Sequence, residues 1–229
     1  MTVRVMTYNI KGHGTLLRGG HIEGIAAMIA EAKPDIVGVQ EVHRKGWKAR
    51  FHDQAADLER LTGMSLAFGP AMVKGDMQYG NAILTRGRIA ESHIAPLPGS
   101  GEPRTVLEAT IQLDSIEVNA YVTHLAAWGR FGTRTRLAQA KAVADLAASS
   151  TKPFILTGDF NSSPTSDELK VFHEGELVMS CFVDAVVTHR ATRQCLDYIF
   201  VDPSWKIVDA KVMRHGPSDH WPLVADLER

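Results

Sequence analysis

Short apolar runs and helical repeats alternate along the chain. The apolar run at residues 3–10 predicts a β-strand, and Ile22, Ile25 and Ile29 then recur at helical spacing until Pro34 stops the helix. Residues 105–113 alternate between apolar and polar, as expected of a half-buried strand. The other predicted strands cover residues 36–39, 79–85, 116–123, 154–157, 195–201, 206–213 and 223–227, and the other predicted helices cover residues 53–61 and 134–148. Residues 64–78 give no clear local prediction.

The order of these elements predicts an α/β fold. Some strands follow one another as hairpins, such as 105–113 and 116–123, whereas others alternate with helices. A simple parallel sheet does not accommodate both arrangements. Two mixed sheets packed face to face, with helices outside, do accommodate them. Since neither a linker nor an internal repeat interrupts the pattern, we expect residues 1–229 to form a single domain.

Composition narrows the class of protein. Of 229 residues, 45% are hydrophobic and 22% are charged, which is typical of a soluble globular protein and excludes disordered, collagen-like and coiled-coil chains. No apolar stretch reaches the roughly 18 residues of a membrane-spanning helix, and the start MTVRVMTYNI does not resemble a signal peptide. Two cysteines, Cys181 and Cys195, are too few for a disulfide scaffold and suggest reduced, structural thiols. We therefore expect a cytoplasmic protein.

The net charge limits the choice of partners. It is -1 at neutral pH, so the chain carries no overall positive charge for indiscriminate nucleic-acid binding, although a local basic groove is compatible with this total. The sequence indicates no obligate protein partner.

Polar side chains with metal- or phosphate-binding chemistry recur where the predicted strands end. They are Asn9 in TYNI, Glu41 in VGVQE, Asn81 in YGNAIL, His124 in AYVTHL, Asp159 and Asn161 in ILTGDFN, Asp197 in CLDYIF, and Asp219 with His220 in PSDHWPL. Strand ends are rigid supports beside loops, and functional groups are commonly placed there. Carboxylates and amides supply hard oxygen ligands for a divalent cation, and histidines supply donors for an anionic oxygen.

Each of these residues alone has an ordinary structural explanation. An asparagine after a strand, such as Asn9, caps loops, and the GDFN segment has the composition of a turn. Glu41 suits a solvated strand end, and His124 suits an apolar core. Adjacent residues on a strand point to opposite faces, so Asp219 and His220 reach one site only if the backbone there is irregular.

Together, the motifs resemble one family of phosphoesterases. TYNI, QE, GNAIL, THL, GDFN, LDYIF and SDHWPL occur in the order seen in the endonuclease/exonuclease/phosphatase superfamily, which is typified by deoxyribonuclease I. The resemblance runs from Asn9 to His220, nearly the whole chain. It implies a four-layered α/β/β/α sandwich of two packed mixed β-sheets flanked by helices. It also implies cleavage of phosphoester bonds with Mg²⁺ or Mn²⁺ as the cofactor.

The resemblance also implies a role for each matching residue. Glu41 would be the main metal ligand, with Asn9 and Asp219 beside it. The catalytic group would comprise His124, Asp159, Asn161, Asp197 and His220. Among these, Asp159 and Asn161 would flank the attacking water, Asp197 would orient a neighbouring histidine, and His124 would donate to a phosphate oxygen. Asp159 and His220 are both candidates for the general base, and the number of metal ions stays open.

The histidine at position 124 indicates a branch of the superfamily. Abasic-site endonucleases generally carry a tyrosine there, whereas His124 resembles the deoxyribonuclease, sphingomyelinase, deadenylase, inositol-phosphatase and tyrosyl-DNA-phosphodiesterase branches. In deoxyribonuclease-like members a glutamate supports that histidine. Asn81 stands in its place, and an amide there could also accept the hydrogen bond.

The substrate is less clearly indicated than the chemistry. The candidate contacts are Asn81, Arg104, Arg44, Lys45, Trp47, Lys48, Arg50, Trp128, Arg130, Phe131, Arg134 and Arg136. Basic residues interleaved with aromatic ones suit a phosphate backbone and stacked bases, which favours DNA or RNA, although each residue also suits a solvated loop. The alternatives are a phospholipid head group, or an inositol or other small phosphate ester. A non-catalytic binding module is a third hypothesis, disfavoured because Glu41, Asp219 and His220 are all present.

Overall fold

The strands and helices that the sequence predicts occur in the structure in the expected order. A computed structural model describes residues 1–14, 20–46, 51–127, 132–174, 178–179 and 186–229. The helices bounded within these residues are α1 (His21–Ala32), α2 (Gln54–Thr62), α3 (Gly132–Ala148) and α4 (Asp167–Glu174). The strands are β1 (Thr2–Asn9), β2 (Ile36–Arg44), β3 (Ser65–Lys74), β4 (Met77–Thr85), β5 (Arg88–Pro96), β6 (Thr105–Leu113), β7 (Ile116–His124), β8 (Phe154–Asp159), β9 (Val178–Met179), β10 (Asp197–Val201), β11 (Lys206–Val212) and β12 (Leu223–Glu228).

These strands form two mixed sheets. The first has the order β11-β12-β1-β2-β4-β3, and the second has the order β5-β6-β7-β8-β10-β9. The pairs β1–β2 and β7–β8 are parallel, and their neighbours in each sheet are antiparallel. Strand β1 contacts β8 and β10, and β2 contacts β7, so the two sheets pack against each other.

Helices cover the outer faces of both sheets. On the first sheet, Ile22 and Ile25 of α1 and Leu58 of α2 share a buried cluster with Met6 and Val37. On the second, α3 and α4 contact each other, and their buried residues belong to the cluster that also fills the space between the sheets. This arrangement confirms the predicted α/β sandwich of two mixed sheets flanked by helices.

Local signals set the helix boundaries. Helix α1 ends where Lys33 adopts a left-handed conformation and its N–H bonds the carbonyl of Ile29, one residue before Pro34. The Asp53 carboxylate caps α2 by accepting a hydrogen bond from the amide of Ala56 at 3.1 Å. Gly63 ends that helix with φ of 67°. None of the helices within the described ranges is long and apolar enough to cross a bilayer.

Several elements were not predicted from the sequence. Strand β3 falls within residues 64–78, and β5 lies at a sheet edge with mostly exposed side chains, so neither shows the alternation of a half-buried strand. Helix α4 and the short strand β9 were also missed. The predicted strand at 195–201 begins later, at Asp197. The amides of Leu196 and Asp197 donate to the Thr188 hydroxyl at 3.0 and 3.2 Å.

Of the two cysteines, Cys195 is buried, and its Sγ lies 3.8 Å from the carbonyl oxygen of Asp197. Cys181 lies outside the described residues.

Candidate active site

Three strands of the second sheet end at one level and carry polar side chains there. His124 of β7 pairs in register with Asp159 of β8, and Asp159 pairs in register with Asp197 of β10. All three side chains are buried. Because neighbouring residues in register point to the same face of a sheet, the fold places this imidazole and these two carboxylates side by side.

The first sheet contributes Asn9 and Glu41 to the same place. Asn9 is the last residue of β1. In β2, Val39 pairs with Ala82 but Val42 pairs with Gly80, so β2 contains one extra residue and forms a bulge. Glu41 lies in this bulge in a left-handed conformation, with φ of 63°. The bulge re-aims the Glu41 carboxylate away from the helix-covered face, where Val39 and Val42 both pack.

Asn9 links the two sheets through its side-chain amide. Its Nδ2 donates to Glu41 Oε1 at 3.2 Å and to Asp159 Oδ2 at 2.9 Å. The Asp159 carboxylate also accepts a hydrogen bond from the amide of Asn161 at 2.9 Å, which fixes the orientation of the carboxylate. Residues far apart in the sequence therefore converge on one carboxylate.

Two histidines approach the same carboxylate. His124 Nε2 lies 3.6 Å and His220 Nε2 lies 3.7 Å from Asp159 Oδ2. His220 Nδ1 is hydrogen-bonded to Asp197 Oδ2 at 2.8 Å, so Asp197 orients this imidazole. The backbone around Asp219 and His220 is irregular rather than a strand, which lets both side chains face the site.

Burial and charge give these groups unequal proton affinities. Burial, together with the Asp197 carboxylate, raises the pKa of Asp159. Burial alone would lower the pKa of His220, but the charges of Asp197 and Asp159 outweigh it and raise the pKa to about 10. Burial, with the charges of Arg104 and His220, lowers the pKa of His124 well below its usual range. At neutral pH the two imidazoles therefore differ: His220 is cationic and His124 is neutral.

These side chains surround a cavity of about 370 Å³, which we call the catalytic cavity. The predicted residues on its wall are Glu41, Arg104, His124, Asp159, Asn161, Asp219 and His220. Asn9 and Asp197 contact wall residues through the hydrogen bonds given above. Trp128 and Arg130 lie outside the described residues.

Comparison with known proteins identifies the family of this chain. A model described as the Endonuclease/Exonuclease/phosphatase family matches residues 6–220, a span that contains every predicted site residue. The chain belongs to this family. Members of the Endonuclease/Exonuclease/phosphatase family are hydrolases that act on phosphoesters. A comparison with curated proteins found no match.

Solved structures of low sequence identity share the fold. An endonuclease/exonuclease/phosphatase from Beutenbergia cavernae DSM 12333 has a TM-score of 0.83 and 24% identity, over 99% of this chain and 71% of the other. D. rerio TDP2 complexed with single strand DNA product has a TM-score of 0.79 and 16% identity, over 100% and 99% of the two chains. The mannosyl-6-phosphatase Bt3783 of Bacteroides thetaiotaomicron VPI-5482 has a TM-score of 0.74 and 21% identity, over 99% and 100%.

Asn81 does not support His124 as the resemblance suggested. Asn81 is buried, and its amide donates instead to the carbonyl oxygen of Thr105 at 3.3 Å. His124 Nδ1 is buried and has no hydrogen-bond partner among the described residues. This chain of the Endonuclease/Exonuclease/phosphatase family therefore positions its histidine without a carboxylate at position 81.

Some of the predicted substrate contacts are engaged elsewhere. Arg44 forms an ion pair with Asp53 at 2.6 Å, and the buried Arg136 forms one with Glu168 at 3.2 Å. Neither of these two arginines is on the wall of the catalytic cavity. Residues 47–50 and 128–131, which hold the predicted aromatic contacts, lie outside the described ranges.

Sequence reasoning missed several residues on the cavity wall. They are Lys11, His13, His43, Met72, Tyr79, Glu102, Ala127 and His189. Lys11 has a signal, since it follows the TYNI motif within two residues of Asn9. His189 has none in the linear pattern, because it lies in a loop and approaches the site only by pairing with His220 across a single β-bridge.

The donor set suits a divalent cation. Asn9, Glu41 and Asp219 offer amide and carboxylate oxygens, the ligands that hard cations prefer. Two groups of side chains have ligand atoms within 4.8 Å of one another: His189, Asp219 and His220, and Asp159, Asp197 and His220. The Lys11 ammonium is paired with Asp219, so this carboxylate already has a cationic partner. Either group could hold a divalent ion, but Glu41 belongs to neither of them, and the Asn9 Oδ1 already accepts a hydrogen bond from the amide of Lys11 at 3.0 Å.

Proposed function

We propose that this protein is a divalent-metal-dependent phosphodiesterase that acts on nucleic acid, with Mg²⁺ or Mn²⁺ as its cofactor. The reaction is hydrolysis by in-line attack of an activated water on the phosphorus atom. The observation that carries this proposal is the environment of Asp159, whose carboxylate lies among Asn9, His124 and His220 at the wall of one cavity. These groups combine a base, cationic and neutral donors, and oxygen ligands for a metal.

The proton affinities favour Asp159 as the general base. Its raised pKa makes the carboxylate a stronger base than a solvated aspartate. His220 is held cationic by Asp197, so it donates a hydrogen bond or a proton rather than accepting one. This division of roles favours Asp159 over His220 as the general base.

The remaining residues stabilise charge and position the reactants. His124 is neutral and donates from Nε2 to a phosphoryl oxygen, while Asn161 helps to place the water. Arg104 is buried at the wall, where its Nη2 forms an ion pair with Glu102 at 2.8 Å, and its guanidinium would contact a phosphate bound in the cavity. Donors aimed at developing charge in a buried site supply much of the rate acceleration of such enzymes.

Asn9, Glu41 and Asp219 would hold the metal ion. A hard divalent cation at these oxygens would neutralise charge on the phosphoryl group when bound. Asn9 already orients the Glu41 carboxylate through its 3.2 Å hydrogen bond. The role of Asn9 is therefore to hold the Glu41 ligand as well as to donate to Asp159.

A second candidate is hydrolysis of a phospholipid head group or of an inositol or other small phosphate ester. The size of the catalytic cavity, about 370 Å³, favours it, since this volume suits a small molecule. The structural neighbours reflect both possibilities, because one is a mannosyl-6-phosphatase and another was solved with a single strand DNA product.

Hydrolysis of a panel of substrates tests the proposal. Plasmid DNA, single-stranded RNA, sphingomyelin and inositol phosphates are each incubated with Mg²⁺, with Mn²⁺ and with EDTA. We expect cleavage of DNA or RNA that requires metal and stops with EDTA. Turnover of only the lipid or the inositol phosphates would show that the second candidate is right.

Substitutions in the cluster test the assigned roles. We expect Glu41→Ala, Asp159→Asn and His220→Ala each to lower kcat by at least about 100-fold, because each removes a metal ligand, the base or a charged donor. Asp202→Asn is the matched control, since Asp202 follows β10 at the opposite end of the same strands and bonds the amide of Phe154. Full activity in all three cluster variants would contradict the assignment.

A further inference from the structure

A second cavity adjoins the catalytic cavity. Its volume is about 520 Å³, and its wall includes Lys11, His21, Arg190, Ser218 and Asp219. Lys11 and Asp219 also line the catalytic cavity. The ion pair between these two side chains therefore stands at the boundary of both spaces. A molecule bound at the catalytic cluster reaches the second cavity by passing this pair.

The charges on the wall of the second cavity favour an anion. Lys11 and Arg190 supply two cationic side chains, and Asp219 is the one carboxylate among the described lining residues. Lys11 and Asp219 are paired and compensate each other, so the guanidinium of Arg190 supplies the net positive charge of the wall. The buried imidazole of His21 is hydrogen-bonded to the carbonyl oxygen of Ile10 at 2.7 Å. Burial lowers the pKa of His21, which leaves that ring neutral.

Arg190 is held in place by contacts that leave its charge available. Its Nη1 donates to the carbonyl oxygen of Ser218 at 3.3 Å, and its guanidinium lies 5.8 Å from the centre of the Trp221 ring. Its backbone amide is anchored to the carbonyl oxygen of Asp219 at 2.9 Å. Within the described residues it forms no ion pair with a carboxylate. A positioned guanidinium with free N–H donors is well suited to phosphate.

We propose that this second cavity, lined by Lys11 and Arg190, binds another phosphate group of the substrate. The inference rests on the proposed function because it assumes that the phosphate to be cleaved binds in the catalytic cavity. The second phosphate is either the next one along a nucleic-acid backbone or a further phosphate on a small ester. In both cases Lys11 lies between the two phosphates, and Arg190 contacts only the distal one.

Equilibrium binding tests the inference without turnover. The parent protein for this experiment is the Asp159→Asn variant. Its affinity is measured by calorimetry for a thymidine dinucleotide without a terminal phosphate, and for the same dinucleotide with a phosphate at its 5′ end or at its 3′ end. Inositol monophosphate and inositol bisphosphate form the small-molecule arm. We expect the additional phosphate to increase the affinity about tenfold, as for a charge-assisted contact, either among the dinucleotides or among the inositol phosphates.

Two arginine variants in the same loop identify the group responsible. We expect Arg190→Gln, made in the parent, to reduce the affinity ratio from about tenfold towards one. Arg193→Gln removes the same charge three residues away, at an exposed position that does not line the cavity, and should leave the ratio at about ten. Absence of any preference for the additional phosphate in the parent, including absence of binding, overturns the inference. Equal loss in both variants overturns it as well.

Hydrolysis of the same ligands by the unmodified protein separates this inference from the proposed function. If no ligand is cleaved but Arg190→Gln removes the preference, the second phosphate site stands and the proposed activity is wrong. If the ligands are cleaved and binding shows no preference, the activity stands and the second site is wrong.

Discussion

At the scale of single residues, the chemistry of this site depends on how neighbouring charges change proton affinity. Asp197 and His220 are hydrogen-bonded at 2.8 Å in a buried setting, and Asp159 lies on the other side of the same imidazole. The two carboxylates make protonated His220 the stable form. His124 Nε2 also lies 3.6 Å from Asp159, but burial and the charges of Arg104 and His220 lower the pKa of His124 and keep it neutral. Two histidines at one cavity can therefore perform different tasks at the same pH.

The charge on His220 should appear in the pH dependence of stability. The pKa of His220 is raised in the folded protein, so its contribution is fully present below the unfolded value of about 6.5 and is lost as the pH rises through about 10. We expect the free energy of unfolding, measured with urea in EDTA, to fall across this window. The decline should be smaller in His220→Asn.

His93→Asn is the control for that measurement, because His93 is exposed on the edge strand β5. It should leave the pH dependence of the free energy of unfolding unchanged. The same decline in His220→Asn and in the parent would show that the imidazole is not held protonated by its neighbours.

At the scale of elements, helix α3 is tied both to α4 and to the loop that follows His124. Arg136 of α3 pairs with Glu168 of α4 at 3.2 Å, and both side chains are at most 5% exposed. The Arg136 Nη1 also lies 3.4 Å from the carbonyl oxygens of Ala126 and Ala127. Since Ala127 lines the catalytic cavity, this buried pair supports the shape of the cavity wall as well as the helix packing.

Removal of Glu168 should therefore be costly. Glu168→Ala leaves the buried guanidinium of Arg136 without this carboxylate, and we expect the free energy of unfolding to fall by about 3 kcal/mol. Urea denaturation measures the change. The neighbouring Asp167→Ala removes an exposed carboxylate that pairs with Lys170 on the same helix, and it should have little effect. Equal stability of the two variants would contradict the expected role of the buried pair.

Patterns in the sequence predicted elements well where one face is buried and poorly at edges. Helix α1 shows clear periodicity because it packs one face on a core. The sequence of β6 also alternates, but most residues on both of its faces are buried, so the prediction of a half-buried strand at 105–113 was wrong in that respect. Strand β5 has little periodicity to detect, since most of its side chains are exposed. Strand β3 lies at the edge of the first sheet, and the register of its pairing with β4 shifts between Pro70 and Met72. An edge strand is held mainly by backbone hydrogen bonds to its one neighbour, and these bonds leave only a weak pattern of apolar and polar residues in its sequence.

At the scale of the whole molecule, the site exists because the two sheets approach closely. Gly38 of β2 faces Thr157 of β8, and a Cβ atom at position 38 would lie 1.9 Å from Thr157 Oγ1. That hydroxyl donates to the carbonyl oxygen of Tyr121 at 3.0 Å. The absence of a side chain at Gly38 sets the separation between the sheets, and Asn9 spans the same gap at its end by bonding Glu41 and Asp159.

A methyl group at position 38 should disturb both packing and activity. We expect Gly38→Ala to lower the free energy of unfolding by about 2 kcal/mol, because an inserted methyl group in a close-packed interior forces its neighbours apart. The midpoint of urea denaturation measures this. Catalytic efficiency should also fall, since the polar cluster draws on both sheets. Gly46→Ala is the control, because a Cβ there would lie 3.8 Å from the nearest atom, His43 Nδ1. An unchanged midpoint in Gly38→Ala would contradict the close approach.

The sequence predicted the part of the candidate site whose residues lie at the ends of strands. Apolar runs that end in His124 and Asp159, and the run that contains Asp197, indicated which strands carry the polar groups, and the order of the motifs indicated the family. Periodicity identifies the buried strands because burial of apolar side chains is the main force that orders them. That the chain is one domain, and that it is cytoplasmic, stay predictions.

Tertiary structure decided which of these polar groups meet and what their charges are. The bulge that re-aims Glu41, the turn of Asn81 towards Thr105 and the approach of Lys11 and His189 each depend on contacts between segments distant in the chain. Proton affinity depends on burial and on the distance to other charges, and neither quantity is a property of the linear pattern. The sequence thus determined the set of reactive groups, and packing of the two sheets determined their arrangement.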